Sequence, residues 1–154
     1  MAKRSIGDIY EVKLNEVRVG FFQHVAYDDT QMKSSVIRVF ALRTVDSLTD
    51  LPHTNVAFHV HVALNVGERM NVWRKVGHAS VIPPVNPCFR MCDDYGDPSV
   101  ETSRNWSVWE VNRPRKWVGA LDAQTRGYEI GLIVNPLSVV HRMRSGSYDF
   151  AIPA

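Results

Sequence analysis

His59 and His61 sit two residues apart in the run from Val56 to Leu64. Alternation puts Val56, Phe58, Val60, Val62 and Leu64 on one side of a strand, and Ala57, His59, His61 and Ala63 on the other. Two imidazoles on one strand face can begin to chelate a metal, but a site needs a third ligand and supporting partners. Glu68 follows His61 at a distance of seven residues, which fits no such pattern. Ordinary histidines hydrogen-bonded on a half-exposed face are the favoured reading. With His53 and His141 they are the groups from which a small hydrolase or metal enzyme could be assembled. Cys88 and Cys92 are four residues apart, whereas structural zinc takes four Cys or His ligands at paired short spacings. Two buried or half-buried thiols fit better. The run Asp93-Asp94-Tyr95-Gly96-Asp97-Pro98 lacks the alternating acids and terminal Glu of a calcium loop. It reads as a solvated acidic turn that could meet a partner. Gly-rich phosphate loops, a nucleophile elbow and a zincin motif are absent. The expectation is a protein without catalytic residues, metal or cofactor.

Composition narrows the class. A chain of 154 residues suits one domain, spanning 1–154. Four Trp, five Tyr and six Phe make aromatic packing prominent in its core. With two cysteines, disulfides do not hold the fold together. The net charge of +2 is too small to announce nucleic acid by itself. The start Met-Ala-Lys-Arg is basic but is followed by no apolar signal-peptide core, and no run approaches the length of a membrane span. A soluble cytoplasmic protein is the default.

The elements follow from local pattern. The organising stretch is Phe21 to Phe40, where two apolar, β-branched and aromatic runs flank a polar link from Asp28 to Ser35. Ile6 to Leu14 alternates as a strand, Asn15-Glu16 turns, and Val17 to Tyr27 returns as its hairpin partner. Gly20 marks a bulge or a close backbone approach. Val36 to Leu42 is the next strand, with Arg38 as a solvated outer-face residue or, less favoured, as a tie to the loop carboxylates. Asp46 or Ser47 could cap a helical turn before Pro52. Around Val66-Gly67 and Trp73 a strand and a short helix both fit. The prolines from Val81 to Pro87 make an irregular connection. Trp106 to Val111 carries large apolar groups on both parities and so is a central strand covered on both sides. Tyr128 to Val134 is a short strand. Pro136 opens a helix capped by Asn135, and Gly146 stops it.

Arg113-Pro114-Arg115-Lys116 is a basic turn between Trp106, Trp109 and Trp117. Tryptophans beside cations suggest a stacking platform for single strands or RNA. At least two of the three lie in strands and belong to the core, so a nucleic-acid module, drawing also on Arg142 and Arg144, is the second reading.

Several stretches together resemble a known family. They are Gly7-Asp8-Ile9; Phe22-Gln23 with Asp28 and Thr30-Gln31; Val36-Ile37-Arg38-Val39-Phe40; Trp73 with Lys75-Val76-Gly77; Asp94-Tyr95-Gly96; Trp106 with Val108-Trp109; and His141-Arg142-Met143 with Gly146 and Tyr148. Across nearly the whole chain they are similar to the bacterial proteins grouped as immunity protein twenty-six, from polymorphic-toxin systems. The resemblance implies a single-domain cytoplasmic protein that neutralises a cognate toxin by binding it, and it brings no catalytic residues. Immunity proteins against basic nucleases are commonly acidic, because opposite charge steers association. This chain is slightly basic, so either its toxin is not strongly cationic or the contact is local. The expected fold is mainly β (α+β): a bent antiparallel sheet or small SH3-like barrel with one or two short helices. The expected partner-binding residues are Asp28, Asp29, Thr30, Gln31, Asp93, Asp94, Tyr95 and Asp97, on loops clustered at one end of the sheet.

Overall fold

The computed structural model describes residues 4–41, 51, 55–82 and 86–154. Among these residues, nine strands and two α-helices follow in the order β1 (Asp8–Lys13), β2 (Val19–Asp28), β3 (Ser34–Phe40), β4 (Val56–Val62), α1 (Leu64–Arg69), β5 (Trp73–His78), β6 (Cys88–Met91), β7 (Trp106–Glu110), β8 (Lys116–Gly119), β9 (Glu129–Ile130) and α2 (Pro136–Ser145), with a 3-10 turn at Thr125–Gly127 before β9. The fold is mainly β, as the alternation predicts. The strands form two sheets rather than a closed barrel: β4-β3-β2-β1-β5, and β8-β7-β6-β9. All pairings are antiparallel except β6 with β9. The capped turn expected before Pro52 lies outside the described residues, apart from Leu51, and so does His53.

In the first sheet, β1, β2 and β3 are buried on both faces over most of their length, whereas the edge strand β5 is largely exposed. One face sends Tyr10, Val12, Phe22, Ile37, Val39, Phe58, Val60 and Val62 into the main core, with Val139 of α2 and Trp73. Phe22 stacks on Tyr10 at 4.9 Å and meets the edge of Trp73 at 5.2 Å. Such ring pairs add about 0.5–1.5 kcal/mol each beyond their burial. The other face carries Ile9, Phe21 and Phe40 with Leu51. It also carries polar residues, Gln23, Arg38 and His61, which are fully buried.

The second sheet leans on the first through Val36, Phe89, Trp109 and Val111. β7 is central in it, with Trp106 and Val108 packed on one side and Trp109 and Val111 on the other. β4 also meets the segment that follows β9 at an isolated parallel bridge between His61 and Ile133, where Val134 N–H donates to His61 O at 2.9 Å.

Local signals set the ends of elements. Asn15 Oδ1 accepts from the N–H groups of Val17 and Arg18 and closes the first hairpin. Asn135 Oδ1 accepts from Leu137 N–H at 2.9 Å, Pro136 opens α2, and Gly146 ends it in the left-handed region at φ 88°. Gly20 is a close approach: a Cβ there would meet Met143 Cε at 2.4 Å.

The ambiguous segment around Gly67 holds both a helix and a strand. Helix α1 runs into β5, and Trp73 folds back so that its Nε1–H donates to Leu64 O at 2.9 Å. Gly67 is therefore helical, and a Cβ on it would fall 2.0 Å from the Trp73 ring. Helix propensity alone favours Ala over Gly by about 1 kcal/mol. Packing outweighs it here, so Gly67→Ala lowers the unfolding free energy by about 1–3 kcal/mol in urea titrations. Gly127→Ala, with nothing within 4 Å of the new methyl group, stays within about 0.5 kcal/mol of the parent.

Candidate functional site

Asp28 ends β2 and is fully buried. Its Oδ2 accepts from His61 Nε2–H and from Trp109 Nε1–H, each at 2.9 Å, and its Oδ1 accepts from the backbone N–H of Gln31 at 3.3 Å. One carboxylate thus holds β4, β7 and the β2–β3 turn. Burial pushes the Asp28 carboxyl up, but the bonds from Trp109, His61 and Gln31 together outweigh it and leave it below the usual range. Burial pushes His61 down more than Asp28 raises it. The contact is therefore a bond from a neutral imidazole to a carboxylate. The other ring nitrogen, Nδ1, is buried without a partner, which would cost more if it also carried a proton.

Outside this anchor the β2–β3 turn is sewn to the turn before β8. Asn112, at φ 62°, accepts from Asp29 N–H at 2.8 Å and donates to Tyr27 O at 3.0 Å. Thr30 and Gln31 both donate to Arg113 O, at 3.4 and 3.3 Å. Asn tolerates the left-handed region better than other non-glycine residues, which suits it to this junction. Tyr27 is 47% exposed and its hydroxyl donates to Lys33 O at 2.9 Å.

Beyond the junction, Arg113, Arg115 and Lys116 are exposed, and Arg115 lies over the Trp109 ring at 5.1 Å. Trp117 follows on β8, the edge of the second sheet, and is 68% exposed. Its register partner is Ser107, two residues from Trp109, so Trp117 stands on the same side of the sheet as Trp109. An exposed tryptophan on an edge strand, among three cations and beside a pinned turn, is the feature of this surface that points to a partner. Trp106 and Trp109 are core, as expected. The sign that could have found Trp117 is its place just after Pro114 and Lys116, residues typical of an unpaired edge.

The expected partner residues do not form one surface. Asp28 is interior and cannot reach a partner. Asp29 and Thr30 are exposed and Gln31 is half-buried, at the clasped turn. Asp93, Asp94, Tyr95 and Asp97 lie before β7, whereas the clasp lies after it, so the two loops sit at opposite ends of that strand. Five residues of strand separate them by about 17 Å. Tyr95 packs against Trp106 and donates to Arg90 O, Gly96 N–H donates to Ala151 O at 2.7 Å, and Asp97 is engaged by Ser99. Those bonds from Ser99 hold the Asp97 carboxyl below its usual value.

Arg38 is neither solvated nor tied to the loop acids. It is 1% exposed and bonded to Gln23. Hydrophobic alternation cannot show this, because a second covered face looks from sequence like an outer one. His59 and His61 share a strand face, but Asp28 holds His61, and Arg38 faces His59 in register. Among the described residues no three His, Cys, Asp or Glu side chains converge as metal ligands. His141 is exposed and its ring Nδ1 lies 2.8 Å from Ser147 O. Among the same residues no helix is long and apolar enough to cross a membrane.

No family model, curated protein or solved structure matches the chain. The likeness to immunity proteins therefore rests on this chain's own residues.

Asp28→Ala orphans two buried donors and lowers the unfolding free energy by about 3–5 kcal/mol in urea titrations. Stability also depends on pH. His24 and His61 are pushed down, and burial with the Arg38 charge pushes His59 down to about 4. Between a lowered native value and the ordinary 6.5 the unfolded chain binds more protons, so stability falls as pH drops. Unfolding free energy measured at pH 7, 6 and 5 declines from near 6.5 downward, and His59→Gln makes that decline shallower.

Proposed function

We propose that this protein is a non-enzymatic antagonist of a bacterial protein toxin and works by direct binding in the cytoplasm, like the immunity proteins it resembles. The observation that carries the reading is Trp117, 68% exposed on an edge strand. Tryptophan and arginine dominate the binding energy of protein interfaces, where a ring fills a pocket and neighbours exclude water. The clasp between Asp29, Thr30, Gln31 and residues 112–113 adds rigidity. A surface already ordered loses less entropy on association. With Arg113, Arg115 and Lys116 around Trp117, the complementary face of the toxin is acidic, and Asp29 supplies a local opposite charge. That fits the slightly basic chain better than an acidic patch built from Asp93, Asp94 and Asp97.

A second reading draws on the same ring. Trp117 beside three cations could stack a base of a single strand while the cations meet phosphates.

Co-expression with the candidate toxin encoded next to this protein's gene, followed by affinity capture, separates them. The expected result is a complex and rescued growth, with Trp117→Ala weakening affinity at least about 30-fold and Asp97→Asn leaving it unchanged. A complex indifferent to Trp117→Ala removes the surface, and absence of both complex and rescue removes the antagonist. Quenching of Trp117 fluorescence by a short oligonucleotide, lost as salt rises, would favour the second reading instead.

A further inference from the structure

On the second face of the first sheet, Gln23, Arg38 and His59 face one another across β2, β3 and β4. Gln23 spends its amide on backbone carbonyls, at 2.9 Å to Ala79 O and 3.3 Å to Gly7 O. Its Oε1 accepts from Arg38 Nε at 2.9 Å and from Nη2. The guanidinium is thereby fixed in place; its Nη2 also donates to Val81 O at 3.5 Å, and it lies over the Phe40 ring at 5.2 Å. Its Nη1 is buried without a hydrogen-bond partner, and no carboxylate among the described residues pairs with it. Among the described residues, then, a full charge is buried without a counter-charge. Burying one is ordinarily costly unless it is paired. Arginine cannot escape by losing its proton.

Arg38 lines a cavity of about 260 Å³. The other polar groups on its described wall are His59 and Asn86, and Val25, Val56 and Ile82 supply apolar surface. His59 makes no hydrogen bond within the described residues, and its neutral ring can donate one N–H. Asn86 can donate two. Arg38, His59 and Asn86 can all donate, and no acid is among the described residues of this wall. In an interior of low dielectric the Arg38 charge favours an anion strongly. One positive charge matches a monoanion, and the apolar wall matches a short hydrocarbon body. The volume is below the range of about 300–1,000 Å³ for drug-sized ligands, so the ligand is small.

We infer that this cavity is a binding site for a short-chain organic carboxylate, which supplies the counter-charge that Arg38 lacks. The site is separate from Trp117 and includes no residue of the β7–β8 turn. It stands or falls independently of toxin binding.

Thermal unfolding of the full chain in sodium butyrate, butyramide, butylammonium chloride and sodium phosphate at matched ionic strength tests it. Butyrate raises Tm by about 2–4 °C at five times its Kd and the rise saturates. The amide and the amine give none, and Arg38→Met loses the response. The His59 ring resonances of the wild-type chain also shift with butyrate and not with butyramide. That measurement decides the matter even if Arg38→Met fails to fold. No saturable rise, a rise equal to that in phosphate, or unmoved His59 resonances would each overturn the site.

Discussion

The carboxylate of Asp28 accepts from His61 on the first sheet and from Trp109 on the second, and with its remaining oxygen it takes the N–H of Gln31. Two sheets and a turn share this acceptor. A buried carboxylate is costly unless its oxygens are filled, and here donors from three parts of the chain fill them. The arrangement is also directional in a way that apolar contact is not. Val36, Phe89 and Val111 would let the sheets slide, whereas the indole and imidazole N–H groups fix their register. Phe89 and Trp109 pack around the His61 ring at 4.1 and 6.1 Å, so the bonds form where water is excluded.

From that anchor the outer surface inherits its order. The turn that begins at Asp28 is held from below by the carboxylate and from the side by Asn112 and Arg113 O. Arg115 in turn rests on Trp109, the same ring that donates to Asp28. Trp117 is thus an exposed ring on a stiff base, and rigidity at a partner surface means less freedom lost on binding. A second buried polar group behaves differently. Asp28 is saturated, while Arg38 keeps one buried donor, Nη1, that no acid among the described residues meets. Asp28 builds the fold. Arg38 is better matched to something the fold can receive.

Much of this was legible in the residues. Strand alternation, the Asn15 turn, the Asn135–Pro136 start and the Gly146 stop are local, and each appears where its residues place it. So does the double-sided burial of β7, because Trp106 and Trp109 fall on opposite parities of a short strand. The acidic residues were misleading. Asp28 and Asp29 are adjacent and chemically alike, yet one is interior and the other exposed.

What the sequence by itself determined is therefore the kind of protein: a mainly β chain whose aromatic and branched residues build its strands, with turns set by short-range hydrogen bonds. Which distant residues meet was decided by tertiary structure alone. Asp28 reaches Trp109 across 81 positions and Asp29 reaches Asn112 across 83. Local periodicity sets the side of a strand on which a residue stands but not the strand that will lie against it. Strand order and register supply that second piece. They turned Arg38 from an apparent outer-face residue into a buried charge, and left Trp117 on an edge strand, 68% exposed.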